Sequence, residues 1–306
     1  MHTVAIFGPT AIGKTSVSIA LAELLRERGE EPIAVNCDSI QVYRGLEILS
    51  GAATVVEEEV LEHRLLGIVP AHEEFSAGRY AELAHREIDR LLTTGRRPVV
   101  VGGAGLYLRA ALAELEMRPP VPALVRADVE RDLADRGSEA LHGELPDELA
   151  SGVHPNDRKR IARLTELTRL GIAPHTSSEG LWTERLRQPT VLVGLSMQSE
   201  ELQRRIDDRV DSMVALGAAG EVAHAARSGV SRTARAAIGF KELLGGDVAG
   251  MKRAQRAYAR RQLTWMWRMP NVELIDRTTR SVDDVAAEIL ALVPPETITG
   301  RRRFRR

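Results

Sequence analysis

The chain has 306 residues, enough for one large domain or a core with a smaller companion, and its 43% hydrophobic content supports a buried interior. A formal net charge of −1 excludes whole-molecule attraction to nucleic acid, so any RNA contact has to come from local basic patches. One cysteine, Cys37, excludes an internal disulfide framework and, without a Cys/His cluster, a structural zinc site; no apolar run is long enough to span a membrane, and Met1-His2-Thr3 leaves no room for a signal peptide, so a cytoplasmic protein is expected.

Val4-Ala5-Ile6-Phe7 reads as a strand and Ser16 to Arg28 as a helix stopped by Gly29. Between them Gly8-Pro9-Thr10-Ala11-Ile12-Gly13-Lys14-Thr15 spells Gly, four residues, Gly-Lys-Thr. Strand, glycine loop and helix in that order are the context a phosphate-binding loop requires. Gly8 and Gly13 let backbone N–H groups turn inward, the helix start adds the positive end of its dipole, and Lys14 adds a full charge. Thr15 places a hydroxyl where Mg²⁺ would sit beside a di- or triphosphate.

A second buried strand is expected at Pro32-Ile33-Ala34-Val35-Asn36, ending on Cys37-Asp38-Ser39-Ile40-Gln41. Ligands of open parallel sheets sit at the carboxyl ends of strands, which places Asp38 beside the phosphate loop; capping of the next turn is the alternative use of an Asp there. Gly51 to Glu59 reads as a mobile loop and acidic turn, Ala77 to Thr94 as a helix, and Arg97 to Val101 as a third clear strand. That strand runs into Gly102-Gly103-Ala104-Gly105, where many NTP-hydrolysing relatives of the loop carry a metal-holding Asp. A plain NTPase is therefore disfavoured, and the glycines are expected to admit a close neighbour or to make a tight turn.

Pro119-Pro120-Val121-Pro122 is a stiff break, and the charged, helix-forming chain from 117 to 189 reads as a helical insertion, leaving 1–116 and 190–306 as the core. Beyond a strand at Thr190 to Gly194, helices are expected at Glu200–Leu216, Ala218–Arg227, Thr233–Leu244, Met251–Met269 and Val282–Leu292, with a short strand at Val272–Ile275. The fold class is thus α/β, a parallel sheet of the phosphate-loop NTPase type flanked by helices, with a helical insertion and a mostly helical C-terminal part. Arg205 and Arg209 share one face of their helix; either they form surface ion pairs with Asp208 and Asp211, or one of them grips a diphosphate.

In order along the chain, Gly8 to Thr15, Asp38-Ser39-Ile40-Gln41-Val42-Tyr43-Arg44-Gly45, His63-Arg64-Leu65-Leu66, Val101 to Leu108, Asn156-Asp157, Ala237 to Leu243 and Arg261-Gln262-Leu263-Thr264-Trp265 resemble the motifs of the tRNA dimethylallyltransferase family. The resemblance implies transfer of a dimethylallyl group from dimethylallyl diphosphate to the exocyclic amine of the adenine 3′ of a tRNA anticodon. It implies Asp38 as general base, Gly8, Pro9, Thr10, Ala11, Ile12, Gly13, Lys14 and Thr15 as the diphosphate cradle with Mg²⁺ at Thr15, and Arg209 as the second clamp. By the same carry-over Asp38, Ser39, Ile40, Gln41, Ala104, Arg126, Lys159, Arg160, Ile161, Ala162, Arg163, Ala236, Ala237, Ile238, Gly239, Phe240 and Lys241 face the anticodon stem-loop of tRNA. A cytoplasmic monomer is expected.

Three departures stand out. Ala104 occupies a position where the family has Thr, Leu49-Ser50-Gly51-Ala52-Ala53 replaces Gly-Thr-Ala-Lys-Pro, and Asn156-Asp157-Arg158-Lys159-Arg160 replaces Asn-Asp-Pro-Gln-Arg. The alternatives to a tRNA enzyme are an isopentenyltransferase acting on free AMP or ATP, for which the insertion has no use, a phosphate-loop small-molecule kinase, and an RNA-binding module without catalysis, against which Lys14, Thr15 and Asp38 argue. The arginines of the tail, Arg301 to Arg306, suggest a further RNA contact.

Overall fold

The computed structural model describes residues 1–117, 119–172 and 179–295. In chain order the elements are β1 (Thr3–Phe7), α1 (Lys14–Glu27), β2 (Pro32–Asn36), β3 (Tyr43–Arg44), α2 (Glu47–Ser50), α3 (Val55–Val60), β4 (His63–Arg64), β5 (Val69–Pro70), α4 (Ala77–Thr93), β6 (Arg97–Gly102) and α5 (Gly105–Leu112). Then come α6 (Ala123–Gly143), α7 (Asp147–Ala150) and α8 (Arg158–Arg169). They are followed by β7 (Thr190–Ser196), α9 (Ser199–Ala215), α10 (Ala218–Ser228), α11 (Arg232–Arg235), α12 (Phe240–Leu244), α13 (Val248–Arg268), β8 (Glu273–Asp276) and α14 (Val282–Leu292). Two compact units result, one made of Met1–Leu115 and the chain from Trp182 onward, the other of Glu116–Leu181.

In the larger unit six parallel strands lie in the order β4-β2-β6-β1-β7-β8. Val4 stands opposite Val99 on one side and Val191 on the other, so β1 is a central strand and its carboxyl end opens between two neighbours. Alternate residues of these strands, Val4, Ile6, Val99, Val193 and Leu195, pack against Leu21 and Leu25 of α1 and Val285 and Ile289 of α14. Each buried Val or Leu contributes roughly 1.5–3 kcal/mol over its exposed state, so this layer fixes the frame on which the loops at the strand ends hang. A separate two-stranded ribbon joins β3 to β5.

The smaller unit packs α6 against α8 through Val129, Leu133, Leu141 and Ile161, with Leu145, Leu149 and Leu164 beside them. The helical stretch Ala123–Gly143 is broken at Gly137, whose φ of 79° only glycine adopts without strain. Glu166, 5% exposed, is held by Arg163 at 2.9 Å and by Arg126 at 3.5 Å.

Three sequence expectations change. Residues 55–60 are helical, because Thr54 accepts from the Glu57 N–H while the Glu57 carboxylate returns to the Thr54 N–H, a capping box within the stretch read as a loop. The helix expected over 233–244 is two short pieces, since Gly239 turns left-handed at φ 96° under Met251. Residues 182–189, read as insertion, belong to the larger unit, where the Arg187 N–H donates to the Leu112 carbonyl at 2.9 Å. Among the described residues no helix is long and apolar enough to cross a membrane. The arginine-rich tail lies outside the described residues.

Candidate active site

The loop after β1 turns twice through left-handed backbone, at Ala11 (φ 64°) and at Gly13 (φ 88°), before α1 begins at Lys14. A Cβ on Gly8 would press on the Leu195 carbonyl of β7 at 3.1 Å, and one on Gly13, whose positive φ already favours glycine, would overlap the Arg277 guanidinium. Lys14 folds back over the loop and donates from Nζ to the carbonyls of Gly8 (3.1 Å) and Pro9 (2.9 Å). The Thr15 hydroxyl makes no hydrogen bond among the described residues and stays available to a ligand. Outside the loop, Gln262 of α13 accepts from the Thr10 N–H at 2.8 Å and donates to the Gly103 carbonyl at 2.7 Å, tying the phosphate loop to the turn after β6.

Asp38 follows β2 at the same edge of the sheet. Buried Asn36 accepts from the Asp38 N–H at 3.0 Å and donates to the Leu65 carbonyl at 3.0 Å, which fixes the chain as it leaves the strand. The Asp38 Oδ1 then accepts from Ile40 N–H (2.9 Å) and Gln41 N–H (3.4 Å). Capping is therefore a real use of this carboxylate, but it engages one oxygen only. Oδ2 has no hydrogen-bond partner among the described residues.

Of the three arginines on α9, Arg204 and Arg205 are spent on Glu201, each at 2.7 Å, and the surface acids Asp208 and Asp211 pair with Arg204 and Lys252. Arg209 is the one that turns inward: its Nη2 reaches the carbonyls of Ser50 (3.3 Å) and Gly51 (3.4 Å), while its Nε is buried without a partner among the described residues. A Cβ at Gly51 would overlap this guanidinium. Gln41 donates to the Gly51 carbonyl at 3.1 Å, and Glu221 accepts from the N–H groups of Ile48 (2.9 Å) and Leu49 (2.8 Å), holding α2 from its other end.

Electrostatically Lys14, Arg209 and Asp38 form one group. Burial, and then the Arg209 charge, push Lys14 down to about 8, while Asp38 and Cys37 pull the other way. Burial likewise lowers Arg209, with Asp38 and Glu57 opposing. Two desolvated cations facing a single carboxylate leave a site short of negative charge, and a diphosphate would supply it. Burial and then Asp38 raise the phenol of Tyr258, whose hydroxyl reaches the Gly103 carbonyl at 3.5 Å, and the same two causes raise the Cys37 thiol, so both stay neutral beside Asp38.

The glycine run after β6 admits neighbours from the chain itself. A Cβ on Gly102 would overlap Cys37, one on Gly103 would overlap Gln262, and one on Gly105 would overlap the Trp265 ring. Trp265 in turn meets Trp182 at 5.0 Å between ring centroids. Ala104 is the residue capping α5 and offers no side-chain hydrogen bond there.

The residues carried over toward tRNA divide by burial. Ser39, Ile40 and Gln41 are half-buried beside Asp38, and Ala236 and Lys241 are exposed. In the smaller unit Lys159 and Arg160 are exposed, whereas Arg163 donates to Glu166 and to the Pro119 carbonyl and Arg126 also leans on Glu166. Ala162 is half-buried and Ile161 is fully buried in the core of that unit; Ala237, Gly239 and Phe240 are buried in the larger one. The side chains of Ile161 and Phe240 therefore face the interior, not a partner. Sequence reasoning missed Asn36, Gln262 and Arg277. The Gln in Arg261-Gln262-Leu263-Thr264-Trp265 is visible as part of a motif, without a role.

A parallel sheet whose first strand ends in such a loop, with a second cation and a carboxylate at the neighbouring strand end, defines a phosphate-loop α/β protein built for group transfer from a phosphorylated donor. The chain belongs to the IPP transferase family, whose model matches residues 41–269. It is 38% identical over 288 residues to a tRNA dimethylallyltransferase of Salinispora arenicola, covering 89% of this chain and 82% of that one. To the tRNA dimethylallyltransferase of Kineococcus radiotolerans it is 36% identical over 307 residues, covering 95% and 96%. Among solved structures, a tRNA isopentenylpyrophosphate transferase from Bacillus halodurans superposes with a TM-score of 0.69 at 32% identity, covering 95% of each chain. A eukaryotic dimethylallyltransferase acting on tRNA shares the fold at a TM-score of 0.71 and 24% identity, covering 95% of this chain and 77% of that one.

Proposed function

We propose that this chain transfers a dimethylallyl group from dimethylallyl diphosphate to the exocyclic amine of the adenine 3′ of the anticodon in tRNA, releasing diphosphate. The observation that carries the reading is the cluster of Lys14, Arg209 and a half-used Asp38 carboxylate at the sheet edge, in a chain of the IPP transferase family. The allylic carbon–oxygen bond breaks with its electron pair going to the diphosphate; the adenine nitrogen forms the new bond to carbon and gives up a proton. The loop N–H groups and Lys14 hold the leaving group, and Arg209, whose Nε has no partner among the described residues, completes the grip. Asp38 accepts the adenine proton at Oδ2. Among the described residues no group of three or more His, Cys, Asp or Glu could hold a metal, so Mg²⁺ would be held by the Thr15 hydroxyl together with oxygens of the diphosphate. When bound, it would neutralise part of the leaving-group charge.

The adenine leaves its stack to reach Asp38, and exposed Lys159 and Arg160 of the smaller unit contribute phosphate contacts that a free nucleotide would not need. We place the protein in the cytoplasm and expect it to act as a monomer. The experiment that tests the reaction class follows diphosphate release from dimethylallyl diphosphate in the presence of unmodified tRNA, alongside ATP turnover without it. Diphosphate appearing in step with prenylated tRNA supports the proposal; rapid ATP hydrolysis with no prenyl transfer would replace it by a kinase.

A further inference from the structure

Arg277, the first residue after β8, meets the phosphate loop at Ile12 and Gly13, and the reaction proposed above gives it no role. It is 6% exposed, and its backbone N–H is fixed by the Ser196 carbonyl at 2.9 Å. Its Nη1 donates to the Ile12 carbonyl, and its guanidinium fills the space that a side chain on Gly13 would need. Among the described residues no carboxylate balances it. Asp276, its chain neighbour, is engaged with the N–H and hydroxyl of Thr278 at 2.8 and 2.6 Å. The charge that acts on it is Arg205, a like charge already paired with Glu201. Among the described residues the Arg277 Nε is buried without a hydrogen-bond partner. Burial and then Arg205 pull its pKa down, and no acid pulls it back.

A buried guanidinium without a counter-ion costs stability, and Met of similar volume would fill the same space at less cost. Such a residue is explained when the missing negative charge arrives with a ligand. We propose that Arg277 is a positioning residue of the diphosphate site: it holds the Ile12 carbonyl outward, so that the neighbouring N–H groups face the phosphates, and the bound diphosphate balances its charge through the loop. This inference rests on the reading of the loop as a diphosphate site. It assigns Arg277 an effect on donor affinity opposite to its effect on the empty protein.

The test uses inorganic pyrophosphate with the full chain, the Arg277→Met and Arg277→Lys variants, calorimetric affinity and thermal midpoints. Arg277→Met is expected to melt at or above the parent temperature when empty and to bind pyrophosphate about tenfold more weakly, a loss of about 1.4 kcal/mol. Arg277→Lys, which keeps the charge without the fork, is expected to recover about half of that loss on a logarithmic scale. Arg277→Met that fails to fold, or melts well below the parent yet binds pyrophosphate within twofold, would make Arg277 a structural brace and overturn the inference. Parent protein that does not bind pyrophosphate at all would remove the diphosphate reading itself, and this inference with it.

Discussion

Replacing Gln262 by Leu should loosen the phosphate loop, because it frees the Thr10 N–H from its side-chain partner. The side chain is 4% exposed and makes two hydrogen bonds, accepting from Thr10 N–H at 2.8 Å and donating to the Gly103 carbonyl at 2.7 Å. Each contributes about 1 kcal/mol net, and a buried carbonyl left without its donor costs roughly 1–3 kcal/mol. Tyr258 O–H, already 3.5 Å from that carbonyl, can take over part of the second bond, so the expected loss of stability is about 2–3 kcal/mol. Freeing Thr10 also leaves one or two loop residues to be ordered by the donor, at about 1 kcal/mol each, which corresponds to a donor KM raised about tenfold. Urea unfolding and steady-state kinetics read the two effects separately. Gln262→Glu is the companion variant: it keeps an acceptor for Thr10 but sets a carboxylate oxygen against Gly103, so its stability deficit should shrink on acidification as that carboxyl protonates. A Gln262→Leu loss below about 1 kcal/mol with donor KM within twofold of the parent would refute the tether.

Asp38→Asn should bind donor and tRNA nearly as the parent does and lose roughly two to four decades of single-turnover rate, the usual range for a general base; a rate within about threefold would remove Asp38 from that role. Burial pushes Lys14 down to about 8 and a bound anion raises it, so pyrophosphate affinity should be full below about pH 8 and fall as pH rises above it. The same titration on Lys14→Met, subtracted from the parent's, should contain none of that component; identical profiles would place the proton elsewhere. In the smaller unit Arg160, 70% exposed, should act through phosphate contacts, and Arg160→Ala should lower the salt slope of tRNA binding by roughly one. Arg163→Ala should instead destabilise the unit, because Glu166 stays buried when its nearer partner is removed; a pure change of salt slope would reverse that assignment.

What can be read from sequence is local. Gly8, Gly13 and Lys14 lie within eight positions, and the strand, loop and helix around them leave one backbone path, so the cradle is legible from the order of the residues. Asp38 is legible because the apolar run Pro32 to Val35 ends cleanly at Asn36, with the strand end in view. Arg205 and Arg209 cannot be told apart in the same way, since a helical period of 3.6 puts both on one broad face and only packing decides that Arg209 meets Ser50 and Gly51. Runs carried over as blocks include Ile161 and Phe240, which the same period turns into the core. Thr54 and Glu57 do signal the start of α3, but they sit in a stretch rich in Gly, Ala and Glu that reads as a loop. The groups that brace the cradle from outside are beyond local reading: Gln262 meets Thr10 across 252 residues, and Arg277 meets Ile12 across 265.

The most direct test of the central claim offers labelled dimethylallyl diphosphate to the purified protein with either an unmodified tRNA carrying adenine 3′ of its anticodon or free AMP. The account predicts label on that adenine of the tRNA and very little on AMP, because Lys159, Arg160 and the half-buried surface at Ser39 to Gln41 have nothing to hold on a mononucleotide. Equal or faster labelling of AMP would contradict it and turn the chain into a prenyltransferase of free nucleotides.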